Sequence, residues 1–488
     1  MPPQIATLLF VIGIAGLFWL DRDDSARASK ALWLPVTWLA IAGSRSPSLW
    51  LGTGPGREVA GQTPPTSALD QFVAATLILA GVGVLLRRRK EVKALVIASW
   101  PIALYFAYCL LSLTWSDYPG WGFKRWVRGL GDVVMVLILA TDAQPIAALR
   151  RLFSRVGFIL LPTSVLLIRY YVELSSTWDP WGTTRLYNGV TTNKNTLGNL
   201  VYLLSLGCLW QIMTLLREKT DPNRTRRLIA QGILLVFGVD LLFTAHSATS
   251  DACFIFGAAL MLLTSLPFIK RSPAAVHALV FFILVGGSVV GFIAGKAALA
   301  EVLGRDSTLS GRTDIWEILV PMVNGIGGAG FETFWVGPRV AQIMTLVGGW
   351  AMTNEAHNGY IELYLNLGCI GLVLVGLIMA QGYRLTVSTF NHDSALGALL
   401  MSYVITALFY NITEAGFRIL SLEWFFVLLS IAVAAYANLP PAASVAVTSR
   451  LFGSFGKRFG ATTPSLSSAA QKRDGLTRTN PRLTNAPR

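Results

Sequence analysis

Charge is scarce in this chain. Only 14% of its 488 residues are Asp, Glu, Lys or Arg, against roughly 25% in an ordinary soluble domain. That deficit excludes a soluble enzyme. The net charge of +14 does not bring nucleic acid back as a partner. Its cations sit in short connectors such as Arg87-Arg88-Arg89-Lys90, in residues 217–227 and in the C-terminal tail. Cysteine is equally scarce: Cys109, Cys208, Cys253 and Cys369 all lie within apolar blocks. They have no metal-ligand spacing and no pairing signal, so they read as small buried hydrophobes and exclude a disulfide scaffold. No internal repeat of a solenoid or propeller is visible. The first apolar segment lacks a basic stretch before it and a small-residue cleavage site after it, which argues against a cleaved signal peptide.

Apolar residues supply 53% of the chain, in blocks long enough to cross a bilayer, which takes about 20 residues of helix. Thirteen such segments are predicted, at about 4–20, 31–43, 68–86, 94–114, 127–141, 152–171, 195–216, 228–244, 251–269, 275–294, 357–380, 394–412 and 419–437. The second and fifth are short enough to be re-entrant or interfacial. The fold class is therefore an all-α polytopic integral membrane protein, with about 12–13 transmembrane helices and one large extracytoplasmic loop. Residues 1–437 form the multi-spanning domain; 438–488, rich in Ala, Ser, Thr, Pro and Arg, read as a disordered basic cytoplasmic tail.

Orientation follows from where the cations fall. Alternate connectors, beginning with 21–30, carry some two thirds of the 40 Lys and Arg, and the positive-inside rule makes that set cytoplasmic. The N-terminus is then outside and the C-terminus inside. Three outer connectors do not read as plain turns: 115–126, 172–194 and 295–356. The last is full of Trp, Phe, Gly and Met, so an ordered loop with short helices explains it better than disorder does.

Chemistry-bearing residues gather on the outer side. Of the four histidines, His277 and His392 fall inside and His246 lies near an outer helix end, where a structural role suffices. His357 enters the eleventh span in TNEAHNGYIELYLNLGCIGL, with Asn358, Tyr360 and Glu362 around it and Glu355 placed to orient its ring. It is either an interfacial structural residue or a general base, since imidazole takes a hydroxyl proton near neutral pH. Arg312, in DSTLSGRTDIWEIL, is either a phosphate clamp or the partner of Asp314 or Glu317. Arg185 precedes the run Asn193-Lys194-Asn195, where Asn is either a helix N-cap or part of a binding face strengthened by Lys194. Cations and base on one side imply an anionic lipid head group as ligand.

Two motifs fail their context. Asp21-Arg22-Asp23 has the spacing of metal-dependent sugar transfer but lies on the cytoplasmic side without a nucleotide-binding domain. The glycine run Gly325, Gly327, Gly328 and Gly330 follows no strand, so it is no dinucleotide fingerprint.

The ordered set Ser310-Gly311-Arg312…Trp316, GGAGFETF and HNGYIELYLNLGCIGL, with WSDYP at 115–119, resembles the O-antigen ligase and polymerase superfamily over roughly residues 90–435. The Asn-Lys-Asn form is similar to its rhizobial-type exopolysaccharide polymerase branch. The resemblance implies a metal-independent, cofactor-free glycosyltransferase of the bacterial inner membrane, facing the periplasm. Its donor would be an undecaprenyl-diphosphate-linked oligosaccharide. Arg312 would bind the diphosphate and His357 would activate the acceptor hydroxyl. Family members often carry a second cation where this chain has Ala248; Arg185 or Lys194 then serves, with Asn193, Asn195, Asn358 and Tyr360 completing the substrate site. A polymerase is the favoured activity. A ligase acting on lipid A-core or protein, or a transporter or flippase, is the alternative, and flippase and chain-length co-polymerase proteins are the implied partners, besides membrane lipid.

Overall fold

A computed structural model describes residues 1–23, 28–54, 67–179, 182–294, 312–346 and 355–440, with the side chains of 287–294 and 312–314 outside that description. The predicted tail therefore lies outside the described residues from 441 onward. The major helices are α1 (Pro3–Leu20), α2 (Trp33–Ala42), α3 (Ala68–Leu86), α4 (Arg89–Ala98), α5 (Trp100–Ser112), α6 (Pro119–Ala140), α7 (Pro145–Tyr170) and α8 (Lys194–Arg217). They continue with α9 (Arg224–Ala245), α10 (Ala248–Thr264), α11 (Pro273–Ala294), α12 (Arg312–Leu319), α13 (Pro338–Leu346), α14 (Gly359–His392), α15 (Ser394–Thr413) and α16 (Leu422–Ala437). One two-stranded hairpin, β1 (Ser176–Trp178) and β2 (Arg185–Tyr187), stands apart from this all-α architecture.

Among the described residues, seven helices are long and apolar enough to cross a membrane, and shorter apolar helices accompany them. The polytopic all-α class is what the sequence predicted. Its central members, α15, α16 and α8, bury side chains on every face, among them Trp424, Phe425, Tyr403, Tyr202 and Trp210. Peripheral helices leave whole apolar faces uncovered: Leu8 and Ile12 on α1, Phe72 and Leu79 on α3, Phe281 and Phe282 on α11. A monomer in water does not sustain such a surface. A bilayer does.

Two predicted segments are corrected. The span expected at 94–114 is broken: α4 and the helical stretch from Trp100 meet at 87°, where Pro101 opens the second piece. The connector expected at 115–126 is largely helix, because α6 begins at Pro119 and runs for 22 residues. Pro119 is suited to a first helical position, and the polar residues that made this stretch look like a loop form one charged face of α6.

Connectors contact one another at two ends of the bundle. At one end, Arg45 donates to the Thr191 carbonyl (3.2 Å), the Lys194 ammonium to the His246 carbonyl (3.3 Å), and Asn195 to Glu414 (2.9 Å). At the other, Arg150 pairs with Glu218 (2.9 Å), and Arg227 with Asp221 (2.8 Å) and Asp23 (3.3 Å). Asp23 of the rejected Asp-x-Asp motif is thus an ion-pair partner.

The described part of the long loop, 312–346, is ordered, as its composition required. Its glycine run lies against α14, which departs from helical geometry at Gly368 (φ 64°). Ala329 and Gly330 donate backbone N–H groups to the carbonyls of Leu365 and Asn366, and Cys369 donates to Gly325, each at 2.9 Å. A Cβ on Gly368 would meet the Ile326 carbonyl oxygen at 2.1 Å. Glycine is required there so that two backbones can touch.

Candidate functional site

His357 sits immediately before α14, at φ 49°. Its neighbour Asn358 caps that helix, accepting from the backbone N–H groups of Tyr360 and Ile361 at 3.0 Å, and donates to the Ile412 carbonyl at 2.8 Å. Such a cap is worth about 1 kcal/mol, and here it also fixes where His357 stands. Tyr360 donates its hydroxyl to the Leu408 carbonyl at 2.9 Å. Asn358 and Tyr360 thus hold the framework of the site.

Two carboxylates flank the imidazole. Nδ1 of His357 lies 3.1 Å from Glu355 Oε1 and 3.9 Å from Glu414 Oε2. Glu355 is thus within reach of the ring, where the sequence spacing placed it. Glu414, in the α15–α16 connector, was missed. Donor atoms of Glu355, His357 and Glu414 lie within 4.8 Å of one another, a spacing a divalent cation also accepts. Arg418 approaches Glu355 at 3.5 Å and Asn195 donates to Glu414 at 2.9 Å. Both carboxylates therefore already have donors, which favours an acid–base set over a cation cage.

Glu355 and Glu414 line a polar cavity of about 230 Å³, together with Asn193, Asn195, Asn199 and Tyr410. Asn193 caps α8 by accepting from the Thr196 N–H at 2.8 Å, and Asn195 reaches across to Glu414, so the two asparagines serve helix and cavity together. Beside this cavity is a groove of about 530 Å³, walled by Ala74 and Ile78 of α3 and Val127 of α6, and edged by Lys124, Arg125, Arg128 and Arg418. Cations over an apolar wall suit a phosphorylated lipid.

Glu332 organises the groove. It is buried, at φ 54°, and pairs with Arg125 (2.7 Å) and Arg418 (3.7 Å). Burial alone would raise its carboxyl, but the two guanidiniums outweigh that and hold it below the usual range. Burial works against the charge on Arg418, yet Glu362, Glu332 and Glu355 more than offset it and keep the guanidinium protonated. Breaking a buried ion pair costs about 3–5 kcal/mol, a large part of a typical folding free energy. The cluster must therefore stay balanced.

The remaining predicted residues are placed as follows. Arg312 opens α12, and its side chain lies outside the described residues. The helix itself is held at the site: Trp316 donates its indole N–H to the carbonyl of Ala356, next to His357, at 2.8 Å. Arg185 is on the hairpin, paired with Glu173 at 3.1 Å and stacked over Trp178. Neither Arg185 nor Lys194 lines the two cavities. The cations that do were legible in part. Lys124, Arg125 and Arg128 have helical spacing in WGFKRWVR, and Glu414 and Arg418 are two charges in a short connector between apolar segments.

No family model matches the chain. Exopolysaccharide production protein ExoQ of Rhizobium meliloti (strain 1021) is 24% identical over 294 residues, which cover 58% of this chain and 64% of that protein. The match thus spans less than two thirds of the relative. By sequence, the chain is a distant relative of a protein named for exopolysaccharide production.

Proposed function

We propose that this protein is a polysaccharide polymerase that joins polyprenyl-diphosphate-linked oligosaccharide repeat units at the periplasmic face of a bacterial inner membrane. One observation carries the reading: a cation-edged groove with an apolar wall adjoins a polar cavity lined by Glu355 and Glu414, the two carboxylates that approach the His357 imidazole. The groove suits a diphosphate lipid and the cavity a sugar hydroxyl. The distant likeness to an exopolysaccharide production protein supports the same substrate class.

The acceptor hydroxyl oxygen attacks the anomeric carbon of the donor glycan as His357 takes the hydroxyl proton. The bond from that carbon to the diphosphate oxygen breaks, and the diphosphate leaves with the electron pair, so the anomeric configuration inverts. Arg125, Arg128 and Arg418 stabilise the leaving charge, and the family resemblance adds Arg312 as a diphosphate contact. Fixed cations aimed at developing charge are the efficient way to do this. They answer the need for a second diphosphate contact that Ala248 leaves open, in place of Arg185 or Lys194.

The test is the glycan profile of cells lacking the protein. Single repeat units should accumulate on the carrier lipid while high-molecular-weight polysaccharide disappears. Long polymer stranded on the carrier would identify a ligase instead. Repeat units confined to the cytoplasmic leaflet would identify a flippase.

A further inference from the structure

We propose that Arg418 is a positioning residue that makes the base conditional on the donor. An anion in the groove draws its guanidinium away from Glu355, and the released carboxylate then holds His357. The proposal rests on His357 being the base of the transfer.

Three observations support it. Among the described residues, Arg418 is the charged side chain that lines both the groove and the polar cavity. Glu355 is divided between two partners, with Oε1 3.1 Å from His357 Nδ1 and Oε2 3.5 Å from Arg418. Arg418 is shared among Glu332, Glu355 and Glu362 at 3.7, 3.5 and 3.7 Å, whereas Arg125 closes on Glu332 at 2.7 Å. A cation shared in this way can be redistributed by a new anion without leaving any carboxylate bare. Backbone strain gathers at the same place. Four described non-glycine residues have positive φ, and three of them are Glu332, His357 and Leu420, the last two positions beyond Arg418. Strain of this kind persists where the surroundings enforce it, often at sites that switch.

The charged and titratable groups facing His357 and Glu355 are Glu414 and Arg418 from the α15–α16 connector, Tyr410 from α15 and Glu362 from α14. Two carboxylates beside an imidazole favour its protonated form, and a guanidinium on one of them opposes that. When the donor takes Arg418, the ring holds its proton to higher pH and is a stronger base once deprotonated. The acid limb of kcat, which reports the donor complex, should therefore lie above that of kcat/KM, which reports the free enzyme.

The experiment measures chain elongation by the purified full-length protein on lipid-linked repeat units across pH. It compares the unaltered chain with Arg418→Gln, Arg418→Lys and Glu355→Gln. In Arg418→Gln the kcat/KM limb should rise by about half to one pH unit, the gap between the limbs should narrow by at least half, and the donor KM should increase. Arg418→Lys should restore the limb but only part of the KM, because it keeps the charge and loses the fork. Glu355→Gln removes the carboxylate through which Arg418 acts, so it should also narrow the gap; this variant decides the matter if Arg418→Gln does not fold. An unchanged gap in the folded variants overturns the link, even if KM rises. Failure of the unaltered protein to elongate any glycan would overturn the polymerase reading instead.

Discussion

A histidine between two carboxylates is easy to build and hard to interpret from sequence. Glu355 is legible beside His357 because it is two residues away, but Glu414 arrives from a different connector. Replacing His357 with Ala should reduce glycan transfer by about 10²–10⁴-fold, the usual worth of a positioned base, while membrane insertion and the folded state persist. The controls are His277→Ala and His392→Ala. His277 touches Tyr383 (2.6 Å) and His392 ends α14, and neither lines the cavity or the groove, so transfer should continue in each. Full transfer by the His357 variant would remove the mechanism. Arg418 was illegible for another reason: its value comes from facing two cavities at once, and no linear pattern records that.

Elements show the same division. The boundaries of α1, α3, α8 and α15 follow from apolar run length alone. That of α6 does not, because Lys124 and Arg125 look like connector residues until the helix turns them, with Arg128, toward a groove. In α14, Gly368 reads as part of an ordinary apolar helix, yet it is where the glycine loop docks. A side chain there meets both a left-handed backbone penalty of about 1–2 kcal/mol and the Ile326 carbonyl. Gly368→Ala should lower the thermal unfolding midpoint and speed proteolysis within residues 312–346. Gly376→Ala lies on the same helix, where a Cβ meets nothing within 4 Å, and should do neither. Equal effects from both would show that helix propensity governs this region, and not loop docking.

For the whole molecule, the prediction concerns sidedness. In a chain with the four native cysteines replaced, Gln342→Cys and Pro222→Cys both present exposed positions that the charge count places on opposite faces. An impermeant thiol reagent should label the first from the periplasm and the second only after the membrane is opened. Labelling of both from one side would overturn the assigned topology. The sequence by itself determined the membrane-spanning class and the approximate positions of its apolar helices, because a bilayer demands long apolar helices and these are written in local composition. Only the tertiary structure decided which charges meet. Glu332, Arg125 and the connector that holds both Glu414 and Arg418 are three separate elements, and each ion pair joins residues tens to hundreds of positions apart in the chain. Their energies depend on distances of a few ångströms and on burial, and these are settled only when the helices pack.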